Sequence, residues 1–402
     1  MTDTLPPPIP MPDMRPTALP YGPSEELTRL RTERPLTPVT FPDGHVGWLV
    51  TGHSLLRAVV ADPRFSSRQE LAHMPVVKAE GATHIPPAPP GMFINMDAPE
   101  HTRYRRLLTG RFTVRRMRQL AERVERIAAE RLDAMERGGP TADLVEAFAQ
   151  PIPALVICEL LGVPHDDHET FQRQAAALSD HGVPLEEVLA AMNGMGAMMH
   201  DLVVAKRAEP TDDLLSDLTD SDLTDEELTG IGFLLLGAGL DTTANMLGLG
   251  TFVLLTHPDQ LAALRRDPGL VDGAVEELMR YLSIAHTGLR VALEDVELGG
   301  HLIRAGQSVV LSAPAANRDP DKFPDPDTFD VRRKATGHVS FGHGVHQCLG
   351  QQLARVEMRV ALRALFERFP TLRLAVPPED VRVRDDSDIH GVRALPVTWD
   401  EV

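Results

Sequence analysis

One stretch limits the folds open to this chain more than any other: Ile231–Leu255 is apolar on nearly every side, yet it carries Asp241, Thr242, Thr243 and Asn245 at its centre. A helix that is apolar all round must be buried, in lipid or in the core of a large protein. A charge at the middle of a bilayer costs several kcal/mol, so burial in protein is the reading that fits. The ends are marked as well. Thr224-Asp225-Glu226-Glu227 offers an N-cap hydroxyl, a Glu three residues on, and acids at the positive end of the helix dipole, while Pro258 follows His257 and stops the run. About 34 residues at ~1.5 Å each predict a helix ~50 Å long, which needs other helices packed around it.

Most of the remaining chain reads as helix. Strand-like stretches are short: His45–Val50, Val291–Leu298, Leu302–Ile303 with Gln307–Leu311, and the tail Val381–Val397. The expected class is mainly α with small β sheets. No repeat at solenoid spacing is found, and the Pro-rich pieces Ile85–Pro90 and Asp319–Pro326 read as ordered loops, so residues 25–402 are expected to form a single domain. Ahead of it, residues 1–24 hold eight prolines and no continuous apolar core, which predicts an extended arm and not a signal peptide. A net charge of −18 argues against a nucleic-acid partner. The only cysteines, Cys158 and Cys348, are far apart and are expected to be free thiols or ligands in a cytoplasmic protein.

Cys158 sits in Leu155-Val156-Ile157-Cys158-Glu159-Leu160-Leu161 and is expected to be a small core residue. Cys348 has other surroundings. It lies in Phe341-Gly342-His343-Gly344-Val345-His346-Gln347-Cys348-Leu349-Gly350, just ahead of a helical run through Leu353, Met358 and Leu362. Backbone N–H groups at a helix start stabilise a thiolate, and Gly342 and Gly344 let the chain turn tightly against a flat ligand. This frame resembles the haem-binding loop of the cytochrome P450 family, and the chain from about Gly47 to Trp399 is similar to soluble actinobacterial monooxygenases of secondary metabolism. The resemblance implies the cytochrome P450 fold, haem b with Cys348 as the axial iron ligand, and Phe341, Gly342 and Gly350 beside the haem.

Other motifs acquire a reading from that resemblance. In Gly237-Ala238-Gly239-Leu240-Asp241-Thr242-Thr243 the plain reading has Thr242 bonded back to a carbonyl four residues earlier. The resemblance makes Asp241 and Thr242 an acid–alcohol pair that relays protons for dioxygen activation, with Gly237 and Gly239 letting the helix deform. Many bacterial members have His-Glu where this chain has Leu240-Asp241. Glu277 and Arg280 share a helix face, which alone predicts a solvated pair; the resemblance gives them, with Arg333, a structural role. It also assigns His101, Arg105, Arg290 and His346 to the haem propionates.

Seven arginines and no acid fall between His101 and Leu120. In an acidic protein a basic patch over Arg103 to Arg118 suits an acidic docking partner, and the resemblance suggests a ferredoxin or flavodoxin-like electron donor supplied ultimately by NAD(P)H. The expected substrate is a small lipophilic molecule, a polyketide, macrolide or other secondary metabolite or a xenobiotic, taken by a monomer without membrane attachment. Segments expected near it are Leu71–Phe93, the helices between His168 and Val204, and Ile284–Gly288; Met192, Met195, Met198 and Met199 either roof that space or pack the core. Two other classes remain open at this point, a non-catalytic haem sensor and a haem-thiolate peroxygenase or isomerase.

Overall fold

The structure is a computed structural model that describes residues 7–15, 22–76, 85–112, 114–168, 170–171, 173–174, 184–384 and 389–400. The fold is mainly α with small β sheets. Its helices are α1 (Glu25–Glu33), α2 (His53–Ala61), α3 (Glu100–Thr109), α4 (Val114–Gly138), α5 (Pro151–Leu161), α6 (Leu185–Ala208), α7 (Leu214–Thr219), α8 (Asp225–Thr256), α9 (Pro258–Arg266), α10 (Val271–Leu282), α11 (Ala313–Ala316) and α12 (Gln351–Arg368).

Helix α8 is the expected long helix. Thr224 Oγ accepts from the Glu227 backbone N–H at 3.2 Å and the Thr224 N–H donates to Glu227 Oε2 at 2.8 Å, a complete capping box. His257 closes the other end. The helix lies against α5, α6, α10 and α12. Leu228, Ile231, Leu236, Leu247, Leu249, Phe252, Val253 and Leu254 are all buried, each worth roughly 1.5–3 kcal/mol relative to exposure. By length and composition alone Glu186–Ala208 and Asp225–Thr256 would each reach across a bilayer; the second finds its apolar surroundings inside the protein. The expected deformation at Gly237 and Gly239 is not observed, because the α-helical pattern runs unbroken through both. Gly239 instead gives Ile157 of α5 room to approach, its Cβ position lying 3.2 Å from Ile157 Cδ1.

Strands β1 (Ile9–Pro10), β2 (Leu36–Thr40), β3 (Val46–Val50), β4 (Phe65–Ser66), β6 (Thr287–Ala292) and β9 (Ser308–Ser312) form one sheet in the order β1-β2-β3-β9-β6-β4. β5 (Thr141–Asp143) joins β10 (Arg373–Leu374) and β11 (Pro396–Thr398), and β7 (Val296–Leu298) pairs with β8 (His301–Ile303). The expected strand Val291–Leu298 is therefore two strands separated by a turn, and among the described residues of the tail Val381–Val397 only the last enter a strand, with isolated bridges at Val383–Val392 and Ala285–Ile389. The arm at the N-terminus is docked: Ile9–Pro10 runs parallel to Val39–Thr40, and Met14 is buried with Leu27 and Leu30. Residues 77–84 of the expected substrate segment Leu71–Phe93, and 169, 172 and 175–183 between His168 and Val204, lie outside the described residues. Met195 and Met199 are core residues, whereas Met192 is exposed.

Candidate functional site

The start of α8 positions helix α3, which carries two expected site residues. Glu227, already engaged in the cap, accepts from Arg103 Nη1 at 2.5 Å and from the Tyr104 hydroxyl at 2.8 Å. Burial alone would raise its carboxyl, but hydrogen bonds from Arg103, the Thr224 N–H and Tyr104 hold it at about 2. The loop before α3 touches the same place. A Cβ on Gly230 would lie 2.0 Å from the Pro90 carbonyl oxygen, and Gly91 has φ +83°, so the two backbones cross with no side chain between them.

From α3, His101 and Arg105 reach the Cys348 loop. Arg105 Nη2 donates to the Gln347 carbonyl at 2.9 Å, and the His101 and His346 rings lie 3.9 Å apart. Arg290 arrives from β6 and donates to the Leu289 carbonyl at 2.7 Å. The four basic residues thus converge from three segments. Burial, then the Arg105 charge, pushes His101 down to about 4, with Asp97 opposing and Arg290 adding to the effect. Burial and the His101, Arg290 and Arg105 charges push His346 down to about 3. Asp97 is the nearby acid, but its oxygens are engaged by the Ser66 hydroxyl at 2.5 Å and the Ser67 N–H at 2.9 Å. His101 is 2% exposed and its Nε2 has no partner.

The Cys348 loop is built by its glycines. Gly342 has φ +68° and Gly344 φ +75°, and a Cβ on Gly344 would meet the Val60 carbonyl oxygen at 2.5 Å. The Cys348 N–H donates to the Phe341 carbonyl at 2.8 Å and closes the loop. Cys348 does not open the following helix, as the sequence suggested. Gln351 is the first helical residue, with Gly350 at the N-cap. Burial pushes the Cys348 thiol up, opposed by the backbone at Gly350, the charges of Arg105 and Arg355, and the backbone at Gln351. Phe341 is held from the other side by Arg355, 4.6 Å from its ring centre, and Arg355 pairs with Glu276 at 2.5 Å. Cys158 is buried and its thiol is pushed up to about 12, the behaviour of a core residue.

These groups fit a haem. A flat dianion needs cations along one edge, and four basic side chains stand there with one partnerless buried nitrogen. It also needs backbone that approaches without side chains, and Gly237, Gly342 and Gly350 have nothing within 4 Å of a Cβ position.

On α8, Thr242 Oγ donates to the Ala238 carbonyl at 2.7 Å, so the plain reading of its hydrogen bond holds. Asp241 Oδ1 accepts from Asn245 Nδ2, one helical turn on, at 3.0 Å, and from Arg384 Nη1, a partner that no local spacing announced, at 2.7 Å. Glu277 and Arg280 stand apart from the site and are not the solvated pair their spacing predicted. Both are fully buried. Arg280 Nε and Nη2 donate to Glu277 at 2.7 and 2.9 Å, Arg280 Nη1 to the Asn317 and Pro326 carbonyls, and Arg333 Nε to Glu277 Oε1 at 3.1 Å.

The arginine-rich segment is corrected in part. Acids from elsewhere neutralise much of it: Arg103 meets Glu227 and Asp222, and Arg116 meets Asp217 at 2.7 Å. Arg111 donates to the Asp217 carbonyl and Arg105 turns inward, which leaves Arg106, Arg115 and Arg118 exposed.

Residues 269–389 match the family model described as Cytochrome P450. The chain is 52% identical over 382 residues to Cytochrome P450 105C1 of a Streptomyces species, covering 94% of this chain and 96% of that one. It is 45% identical over 389 residues to pentalenic acid synthase of Streptomyces avermitilis, covering 94% and 95%. The crystal structure of CYP105P1 in complex with filipin I superposes with a TM-score of 0.88 at 42% identity, covering 98% of this chain and 99% of that one. With the likeness running through nearly the whole chain in both sequence and fold, this protein belongs to the cytochrome P450 family and is a monooxygenase of that family.

Proposed function

We propose that this monooxygenase, a single domain over residues 25–402, binds haem b with Cys348 as the sulfur ligand and inserts one atom of dioxygen into a lipophilic small molecule by hydroxylation or epoxidation. One observation carries the reading furthest: Gly342 and Gly344, both at positive φ, turn the loop that the Cys348 N–H closes on the Phe341 carbonyl, beside the cluster of His101, Arg105, Arg290 and His346. When bound, the haem supplies dioxygen binding and oxygen-atom transfer. The chain's own residues do the rest. His101, Arg105, Arg290 and His346 neutralise the propionates and set the haem's orientation. The N–H groups of Gly350 and Gln351 hold charge on the sulfur, and Phe341, Gly342 and Gly350 border the ring. Thr242 Oγ, whose hydroxyl hydrogen is engaged with the Ala238 carbonyl, accepts a hydrogen bond from a water through its lone pairs and so holds that water in place. Asp241 takes protons from solvent and hands them to that water; its shorter side chain makes a neighbouring water part of the path.

Apolar side chains of α8 and the turn Ile284–Gly288 exclude water and accept a carbon-rich substrate. Relatives named for pentalenic acid and for a filipin I complex support a secondary metabolite or a xenobiotic as that class. Electrons come ultimately from NAD(P)H through a ferredoxin or flavodoxin-like donor docking over the exposed Arg106, Arg115 and Arg118. The enzyme works as a cytoplasmic monomer.

The test is the carbon monoxide difference spectrum of the dithionite-reduced protein, run beside Cys348→Ala. A strongly red-shifted Soret band that disappears in the variant is expected. A histidine-type band in the unaltered protein would sink the assignment from Cys348 outward.

A further inference from the structure

Asp241 is held by a segment far from it in sequence. The two donors on its Oδ1 come from different elements, Asn245 one turn along α8 and Arg384 near the C-terminus. The Arg384 side chain is 9% exposed and that of Asp241 23%, so the pair is largely shielded from water, which strengthens its hydrogen bond.

The C-terminal segment is itself fastened to α8. Gly391 lies so close to Asn245 that a Cβ there would come within 1.8 Å of Asn245 Oδ1, and Gly248 faces Val392 at 3.2 Å. The Arg384 N–H donates to the Gly391 carbonyl at 2.9 Å, and Val383 bridges Val392. The opposite edge is tied to the turn after α10, through the Ala285–Ile389 bridge and the His390 N–H donating to the Ile284 carbonyl at 2.8 Å. The root of Arg384 is therefore held through Gly391 and Val392, whose own segment is tied to α8 and to the turn after α10.

A carboxylate carries two oxygens with about four acceptor sites between them. Two donors on Oδ1, one charged, stop the group from turning about its Cβ–Cγ bond and leave Oδ2 as the oxygen that exchanges protons. We propose that Arg384 is a positioning residue for proton delivery: it holds the Asp241 carboxylate in the one orientation that serves Thr242. This rests on the Asp241–Thr242 relay proposed above. Arg384 touches neither the haem nor the substrate in this account and acts only through Asp241.

The experiment uses the haem-loaded enzyme with spinach ferredoxin, its reductase and NADPH, without added substrate, so that it depends on no unidentified ligand. Two quantities are read: hydrogen peroxide released per NADPH, and the solvent deuterium isotope effect on NADPH consumption. Arg384→Gln is expected to change the peroxide yield at least twofold and to enlarge the isotope effect, with Arg384→Lys recovering part of both. Asp241→Asn is expected to move both further, and the Asp241→Asn, Arg384→Gln double variant to behave as Asp241→Asn alone. Thermal unfolding of the same four proteins should show losses in midpoint that are not additive. Should Asp241→Asn change both readouts while Arg384→Gln and Arg384→Lys change neither, the role given to Arg384 is wrong and the relay stands. Should Asp241→Asn change neither, the relay and this inference fail together. Additive unfolding losses would also overturn the proposal, because they would mean the two side chains do not act as a pair.

Discussion

Two groups of buried charge in this molecule are built on opposite plans. Around Glu277, Arg280 is fully enclosed and its guanidinium is spent on one carboxylate and on backbone carbonyls, with Arg333 closing the other side. Around His346, four basic side chains crowd together and their own charges push both imidazoles toward the neutral form. The first group is complete without any ligand; the second is complete only with an anion from outside. The difference teaches that burial of charge alone does not mark a site. A cluster whose guanidinium groups are spent on a carboxylate and on backbone carbonyls serves the fold, and one whose basic groups face one another serves a partner of the other sign.

The strongest way to break the comparison is Glu277→Ala. Removing the carboxylate leaves two guanidinium groups buried without their counter-charge, and the expected loss is about 3–5 kcal/mol, read from urea unfolding. A loss below about 1 kcal/mol would show that the balance around Glu277 contributes little. Next comes Arg290→Leu in the basic cluster. If Arg290 holds a propionate as proposed, this deletes a charge-assisted bond worth about 1.5–3 kcal/mol, and haem should leave the protein roughly 10- to 100-fold faster in transfer to apomyoglobin. Unchanged haem release would remove Arg290 from the ligand's reach.

A pH series sharpens the same contrast. His101 titrates at about 4 in the folded chain, below the ~6.5 of an unfolded histidine. Between those values the unfolded chain binds more protons, so haem-free protein should lose stability as pH falls from 7 to 5, by about 2 kcal/mol from this residue. His101→Phe should flatten that slope. Haem-loaded protein should show less of it, since propionates favour the protonated ring. A baseline closes the series: Arg363→Ala breaks an exposed pair with Glu367 one turn away and should leave the urea unfolding midpoint within the scatter of repeat measurements.

What was legible in the amino-acid sequence was whatever short-range chemistry decides. The ends of α8 follow from Thr224, Glu227 and Pro258, all within a turn of the boundary they set. The Cys348 loop follows from Gly342 and Gly344, whose positive φ only glycine adopts easily. Strand β2 escaped notice because Pro38 interrupts its pattern, and its place comes from pairing with β3. The basic run after His101 looked like a uniform patch because its acids, Asp217 and Glu227, lie more than a hundred residues on. Arg384 was invisible for the same reason: it meets Asp241 across 143 residues, and nothing in the spacing of either segment records the meeting.

The tail that carries Arg384 also has a consequence for anyone who reshapes this enzyme. Its two edges are bonded to α8 and to the turn at Ile284 and Ala285, so a change that reshapes that turn, one of the proposed substrate segments, also shifts the segment that carries the arginine proposed to hold the acid. Selectivity and economy of reductant then become a single design variable. A variant chosen for a bulkier substrate will waste more NADPH unless the screen measures both.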